Sequence, residues 1–159
     1  MKIIRLLTMV LLSSLSTILT SACQATGSNK NNQITFVDKK WKLHTFTVNP
    51  SVDWDLNGTQ DTDIFALLDP CDRDDFLMFR RDGVIIRFVG TEKCDEEDED
   101  QLEDGTWTTE QNNTIVFRRE DHEDKAEILE STADKLVLVH RFKSTDGISH
   151  KLTAEYRLK

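Results

Sequence analysis

Positive charge is the first thing this sequence has little of. Across 159 residues, 20 Lys and Arg stand against 29 Asp and Glu, a formal net charge of -9. Nucleic-acid phosphates call for a basic face. None is visible along the chain, which excludes nucleic acid as a partner. A second absence is a membrane span: beyond residue 22 no apolar run approaches the roughly 20 residues that a spanning helix needs. Catalytic signatures are missing too, with no Gly-x-Ser-x-Gly, no phosphate-cradling glycine loop and no His-Glu-x-x-His. Most carboxylates fall in loops or at outward strand positions where nothing would tune them, so the chain is read as a non-enzyme. What is present suffices for one packed domain: 38% hydrophobic residues, among them 3 Trp and 8 Phe.

Residues 1–22 form an export signal. Lys2 and Arg5 supply a basic start, 17 uncharged residues run from Leu6 to Ala22, and the exit is small. That exit, Leu19-Thr20-Ser21-Ala22-Cys23, resembles the bacterial lipobox, in which the cysteine is acylated and becomes the first residue; Thr20 stands where the motif prefers an aliphatic residue. The alternative is an ordinary secretory signal with a cysteine beside the cut. Acylated Cys23 would anchor the chain in a membrane, each buried CH₂ contributing about 0.8 kcal/mol. Gln24, where inner-membrane retention favours Asp, points to the outer membrane of the cell envelope. Without Lys2 and Arg5 the mature chain has 18 basic against 29 acidic residues, a net charge of -11. Residues 23–33 read as a lipidated, polar, flexible tether, and 34–159 as the folded domain.

Cys71 and Cys94 remain. Outside the cytoplasm an even pair forms a disulfide as a rule; free buried thiols are the alternative, and a metal site is the weakest reading, since neither has a Cys or His at ligand spacing. The domain itself is a succession of short alternating runs separated by turn residues. In Phe76–Val89 a two-residue Asp82-Gly83 loop would set Phe79 opposite Ile86 and Leu77 opposite Phe88. In Leu136–Lys159 a three-residue loop, Thr145-Asp146-Gly147, sets Leu138 opposite Ala154 and Leu136 opposite Tyr156; a two-residue loop would set those apolar residues against Lys151 and Glu155. Ile148, Leu152, Ala154, Tyr156 and Leu158 then face inward. Further strands are expected near Trp41–Val48, Gly105–Thr109, Thr114–Arg118 and Lys125–Glu130, with a turn at 111–113. Asp61–Leu68 reads as a short helix between the first two strands, with Ile64, Leu67 and Leu68 on its apolar side. The fold class is all-β: about eight antiparallel strands in an up-and-down barrel, with a two-sheet sandwich as the alternative.

The exit motif, the tether, an early Trp41, the Asp-rich Asn57-Gly58 loop, Cys71-Asp-Arg-Asp-Asp-Phe76, Asp82-Gly83, Cys94 and Gly105-Thr-Trp107 together resemble the lipocalin-like domain of bacterial cell-envelope lipoproteins. The resemblance covers about Lys40 to Lys159. Lys39-Lys40-Trp41 stands where lipocalins proper carry Gly-x-Trp, and Arg157 faces outward. The resemblance implies a small apolar ligand, with Leu77, Phe79, Ile86, Phe88, Leu138, Leu152 and Tyr156 lining the barrel. Large inward residues favour a filled barrel, while Ala126, Ala154 and the inward histidines leave room. The competing reading is a filled structural lipoprotein that docks an envelope protein partner through its acidic surface.

Asp53, Asp55, Asn57, the Thr59 carbonyl and Asp61 match the first half of a calcium loop, and weak calcium is the one candidate cofactor. The twelfth position holds Ile64 in place of the bidentate Glu, with Asp63 as a substitute ligand; Asx turns explain the same residues without an ion. Eight acids in the ten residues 95–104 read as a solvated loop between strands, with a docking surface or loose divalent-ion sink as the alternative. His140 and His150 face inward, diagonally on neighbouring strands, as core or cavity residues in preference to a metal pair.

Overall fold

Eight antiparallel strands close on themselves, and a short ninth lies along the edge of the first. The structure, a computed structural model, describes residues 35–159 apart from 112 and 121; the export signal, Cys23, the tether and the expected domain start at 34 lie outside the described residues. The strands are β1 (Lys40–Val52), β2 (Asp61–Asp63), β3 (Phe76–Phe79), β4 (Val84–Phe88), β5 (Gln101–Glu110), β6 (Thr114–Arg119), β7 (His122–Ser131), β8 (Lys135–Lys143) and β9 (Ser149–Leu158). From β3 onward each pairs with its successor, and β1 pairs with β9 to close the ring. The other edge of β1 is shared: Lys40, Trp41 and Lys42 pair with β3, while Thr47 and Val52 pair with β2. A closed ring, not a sandwich, is therefore the architecture.

The stretch expected as one helix over Asp61–Leu68 divides. It is β2, then a 3-10 turn (Phe65–Leu67), and a four-residue helix α1 (Pro70–Arg73) follows. Ile64 turns fully into the core while Leu67 is left exposed, so no single helical face is buried. Asp63 Oδ1 accepts from the Ala66 N–H, and Arg73 donates to the Leu68 and Ala66 carbonyls at 2.8 and 2.9 Å, bracing the turn. α1 carries Cys71, which is bonded to Cys94. Closing a loop of this size stabilises by about 3 kcal/mol on the chain-entropy account.

Both Asp-Gly hairpins use the same three-residue loop. In β8–β9, Ser144 N–H bonds the Ile148 carbonyl and Gly147 N–H bonds that of Ser144, with Gly147 at φ 85°; Leu138 faces Ala154 and Leu136 faces Tyr156, as expected. In β3–β4, Arg80 N–H bonds the Val84 carbonyl and Gly83, at φ 90°, bonds that of Arg80. The loop is thus Arg81-Asp82-Gly83, and Phe79 faces Ile85, not Ile86. A one-residue slip exchanges the two faces of a strand. Ile85 is fully buried, and Ile86 and Phe88 move to the outer wall. The reason is compositional: apart from Arg87, β3 and β4 are apolar on both faces. Either register sets Arg87 against an apolar residue (Leu77 as observed, Met78 as expected), so the charge does not discriminate, whereas in β8–β9 the wrong register meets charges at several positions.

Two clusters fill the barrel. Phe36, Trp41, Phe79, Ile85, Trp107, Ile115 and Leu136 belong to one, and Val48, Ile64 and Leu152, with Phe46 and Phe142 against them, form the other. Burying each large side chain stabilises by about 1.5–3 kcal/mol. Phe36 lies just before β1 and packs on Phe79 and Trp107 at 5.3 Å in each case, and its carbonyl accepts from Trp41 Nε1 at 2.7 Å. Ile148 and Leu158, expected inside, are 48% and 42% exposed, because strand-end positions project past the packed interior.

Gly105 sits in a β5 bulge at φ 100°, where an added Cβ would lie 2.3 Å from the Arg118 carbonyl oxygen; Gly147 has a similar φ but open space around it. Gly105→Ala is therefore expected to lower the unfolding free energy by more than about 2 kcal/mol, and Gly147→Ala by about 1 kcal/mol. Urea unfolding curves of the two variants check the order.

Candidate functional site

Inward alternation along β1, β3, β6, β8 and β9 leaves a cavity of about 420 Å³ between the two clusters. Leu77, Phe79, Leu138, Leu152 and Tyr156, five of the seven residues expected to line it, do so, together with Ala154. Ile86 and Phe88 do not, for the register reason above. Phe46, Phe117 and Phe142 line it as well, outside the expected lining set, although Phe142 shares the inward face of Leu136 and Leu138 in the sequence pattern. Alternation of Phe46 with Thr45 and Thr47 in β1 is the signal that could have found the first. Trp54, in the Asp-rich loop, meets Phe46 and Phe142 edge-on at 6.2 Å each and lies 41% exposed beside them.

Seven polar or charged residues line this cavity too: Tyr156 and His140, and the charged Arg119, Glu123, Asp124, Lys125 and Arg141. The Tyr156 hydroxyl has no hydrogen-bond partner among the described residues; burial pushes its pKa up to about 12, so it remains a donor at any physiological pH. His140 lies over the Phe117 ring, centroids 5.8 Å apart and planes 28° from parallel. Its nitrogens likewise lack a hydrogen-bond partner among the described residues. Arg119 is held by Asp104 at 2.9 Å. His150 differs from His140: its Nδ1 donates to the Pro50 carbonyl at 3.0 Å, Nε2 meets Ser144 Oγ at 2.8 Å, and the ring stacks on Phe142. A carbonyl can only accept, so the Nδ1 proton is assigned by chemistry. Register places His140 opposite Leu152 and His150 opposite Phe142, the expected diagonal.

The Asp53–Asp61 loop brings carboxylate oxygens of Asp53, Asp55 and Asp61 within 4.8 Å of one another. Each also accepts a backbone N–H: Asp53 from Gly58, Asp55 from Asn57 and Asp61 from Trp54. Asn57 Oδ1 accepts from the Thr59 N–H. Asp63 is engaged at the 3-10 turn and Ile64 is in the core, so neither completes the set. The acidic run divides as well. Residues 95–100 form an exposed loop beside the disulfide, and Lys93 bonds the Asp98 carbonyl and pairs with Asp100. Glu103 and Asp104 belong to β5, which begins four residues before the expected strand.

A family model for the lipocalin-like domain matches residues 20–138. The chain belongs to the lipocalin-like domain family. Solved structures similar to this lipocalin-like barrel include bovine odorant binding protein in complex with a selenium-containing odorant, at 11% identity and a TM-score of 0.41, covering 76% of this chain and 68% of that one. The same bovine protein in complex with undecanal gives 11% identity and a TM-score of 0.39, covering 76% and 69%. No curated protein matches the sequence.

Burial holds the His140 imidazole below its ordinary pKa of 6.5, with Asp124 opposing that shift and Arg119 adding to it. The folded pKa lies below the unfolded one, so as pH falls the unfolded chain takes up this proton first. The stabilisation is full above 6.5 and is lost as pH falls through that value toward the folded pKa. Stability of the lipocalin-like domain should therefore decline between about pH 7.5 and about pH 5.5, and His140→Gln should flatten that decline. Urea midpoints across the interval decide it; identical slopes for the two proteins would remove the assignment.

Proposed function

We propose that this protein is a membrane-anchored, non-enzymatic binding module that holds one small, mainly apolar molecule in its barrel. The observation that carries the reading is the cavity of about 420 Å³, within the range of small-molecule sites. Its apolar walls come from Phe and Leu side chains of both core clusters and from Ala154, and the charged Arg119, Glu123, Asp124, Lys125 and Arg141 complete the lining. Beside the apolar walls the Tyr156 hydroxyl and the neutral His140 ring are unengaged polar tips, suited to a ligand that carries a hydrogen-bond acceptor. Export and acylation at Cys23 would hold the module at the envelope, the outer membrane being the compartment that Gln24 favours.

Native mass spectrometry of the exported chain beginning after Cys23 tests retention directly: a reproducible added mass, lost on denaturation, supports the reading. A bare chain would shift weight to a filled barrel that docks an envelope partner through its acidic surface. N-phenyl-1-naphthylamine fluorescence gives a second readout. Saturable binding of one probe per chain is expected, and Ala154→Trp should abolish it while far-UV circular dichroism stays unchanged. In competition with the probe, a medium-chain aldehyde should bind about fivefold tighter than the alkane of equal length, the worth of one net hydrogen bond. Tyr156→Phe should erase that difference; an unchanged preference would remove Tyr156 from the site.

A further inference from the structure

The outer wall where β9, β1, β3 and β4 meet is built unlike an ordinary solvated strand face. Outward positions there hold Phe76, Met78, Ile86 and Phe88, all half-buried on the barrel surface. Lys40 Nζ lies 3.5 Å from the Phe88 ring centroid, Lys159 Nζ 4.3 Å from that of Phe76, and Lys42 Nζ 5.8 Å from the same ring. The three lysines with Phe76 and Phe88 border a surface groove of about 750 Å³. None of the three ammonium groups has a carboxylate partner among the described residues. That is unexpected in a mature chain with 29 acids against 18 bases. The two nearby acids are engaged elsewhere: Asp74 accepts from the Thr91 and Glu92 N–H groups, and Asp100 pairs with Lys93.

We propose that this face docks on an anionic phospholipid bilayer. Unpaired lysines whose stems lie along aromatic rings are suited to a headgroup region, where the ammonium meets phosphate and the ring meets the acyl boundary. An acidic protein would satisfy the lysines but leave the apolar centre without a matching layer. The choice of a bilayer rests in part on the anchoring reading. Thr35 lies twelve residue steps beyond Cys23, which limits the barrel to about 40 Å from an acylated cysteine at full extension. Repulsion from the acidic loop is screened over about 8 Å at physiological salt, so a basic face turned to the membrane acts locally.

The test uses the unacylated chain from residue 24, which contains every strand and both core clusters, so binding does not require the anchor. Co-sedimentation is measured with vesicles of equal parts phosphatidylglycerol and phosphatidylcholine, and with phosphatidylcholine alone. Binding to the anionic vesicles only, weakened by salt, is expected. Lys40→Gln with Lys42→Gln should reduce the partition coefficient by more than about tenfold, whereas Lys143→Gln with Lys151→Gln, removing the same charge from elsewhere on the barrel, should leave it within about twofold. Naphthylamine binding in each double variant reports the cavity separately, so failure of the docking face and failure of the ligand reading are distinguishable. No vesicle binding, equal loss in both double variants, or a dimer in sedimentation that only the Lys40 and Lys42 substitutions dissolve would overturn the proposal.

Discussion

Closure of the ring through β1 is the constraint on which the other features depend. β1 must pair with β9 along one edge while its other edge serves β3 at the start and β2 near the end. A barrel leaves no long strand edge unpaired, and closure is what converts alternating faces into an inside and an outside. The same strand supplies Trp41 and Val48 to the two core clusters and Phe46 to the cavity wall, so a change in its register would disturb all three. Its outward lysines gain their neighbours in the same way: Lys42 stands beside Phe76 because β1 lies beside β3.

The interior is filled unevenly, and the unevenness creates the cavity. Phe36 enters against Phe79 and Trp107, where three large rings pack together. Val48, Ile64 and Leu152 pack separately. Between these clusters the walls are Leu138, Leu77 and the small Ala154, which do not span the remaining width. Polar groups follow the same division. His150 is satisfied through both nitrogens and serves structure, whereas Tyr156 and His140 face the cavity with hydrogen-bonding capacity unspent. Unsatisfied polar tips beside an apolar space cost stability in a finished core, which is the physical reason for assigning them to a guest.

The Asp-rich loop combines a convergent carboxylate set with local turn bonding, and Asp53 Oδ1 is buried without a partner among the described residues. Its carboxylates converge, yet each accepts a backbone N–H from within the loop, as short polar side chains do in turns. Trp54 from this loop reaches Phe46 and Phe142, joining a surface turn to the cavity wall.

Local chemistry made much of the fold legible. Alternation, Asp-Gly loops and charge placement identified the antiparallel strands, and in β8–β9 the cost of facing Leu138 with a charge selected one register. The inward placement of His140 and the Cys71–Cys94 pair were equally readable. In β3–β4 the expected two-residue loop gave the wrong register, since either register faces Arg87 with an apolar residue and the local pattern carries no penalty for the slip; Ile85 reaches the core in one cluster with Phe36, Phe79 and Trp107. Phe36 itself, a single aromatic before the first strand, carries no periodicity to announce it. The sequence by itself determined an acidic, antiparallel all-β chain, because those properties follow from composition and near-neighbour spacing. The tertiary structure alone decided the ring closure, the empty volume and the gathering of Lys40, Lys42 and Lys159 around aromatic rings, because each depends on which distant strands become neighbours.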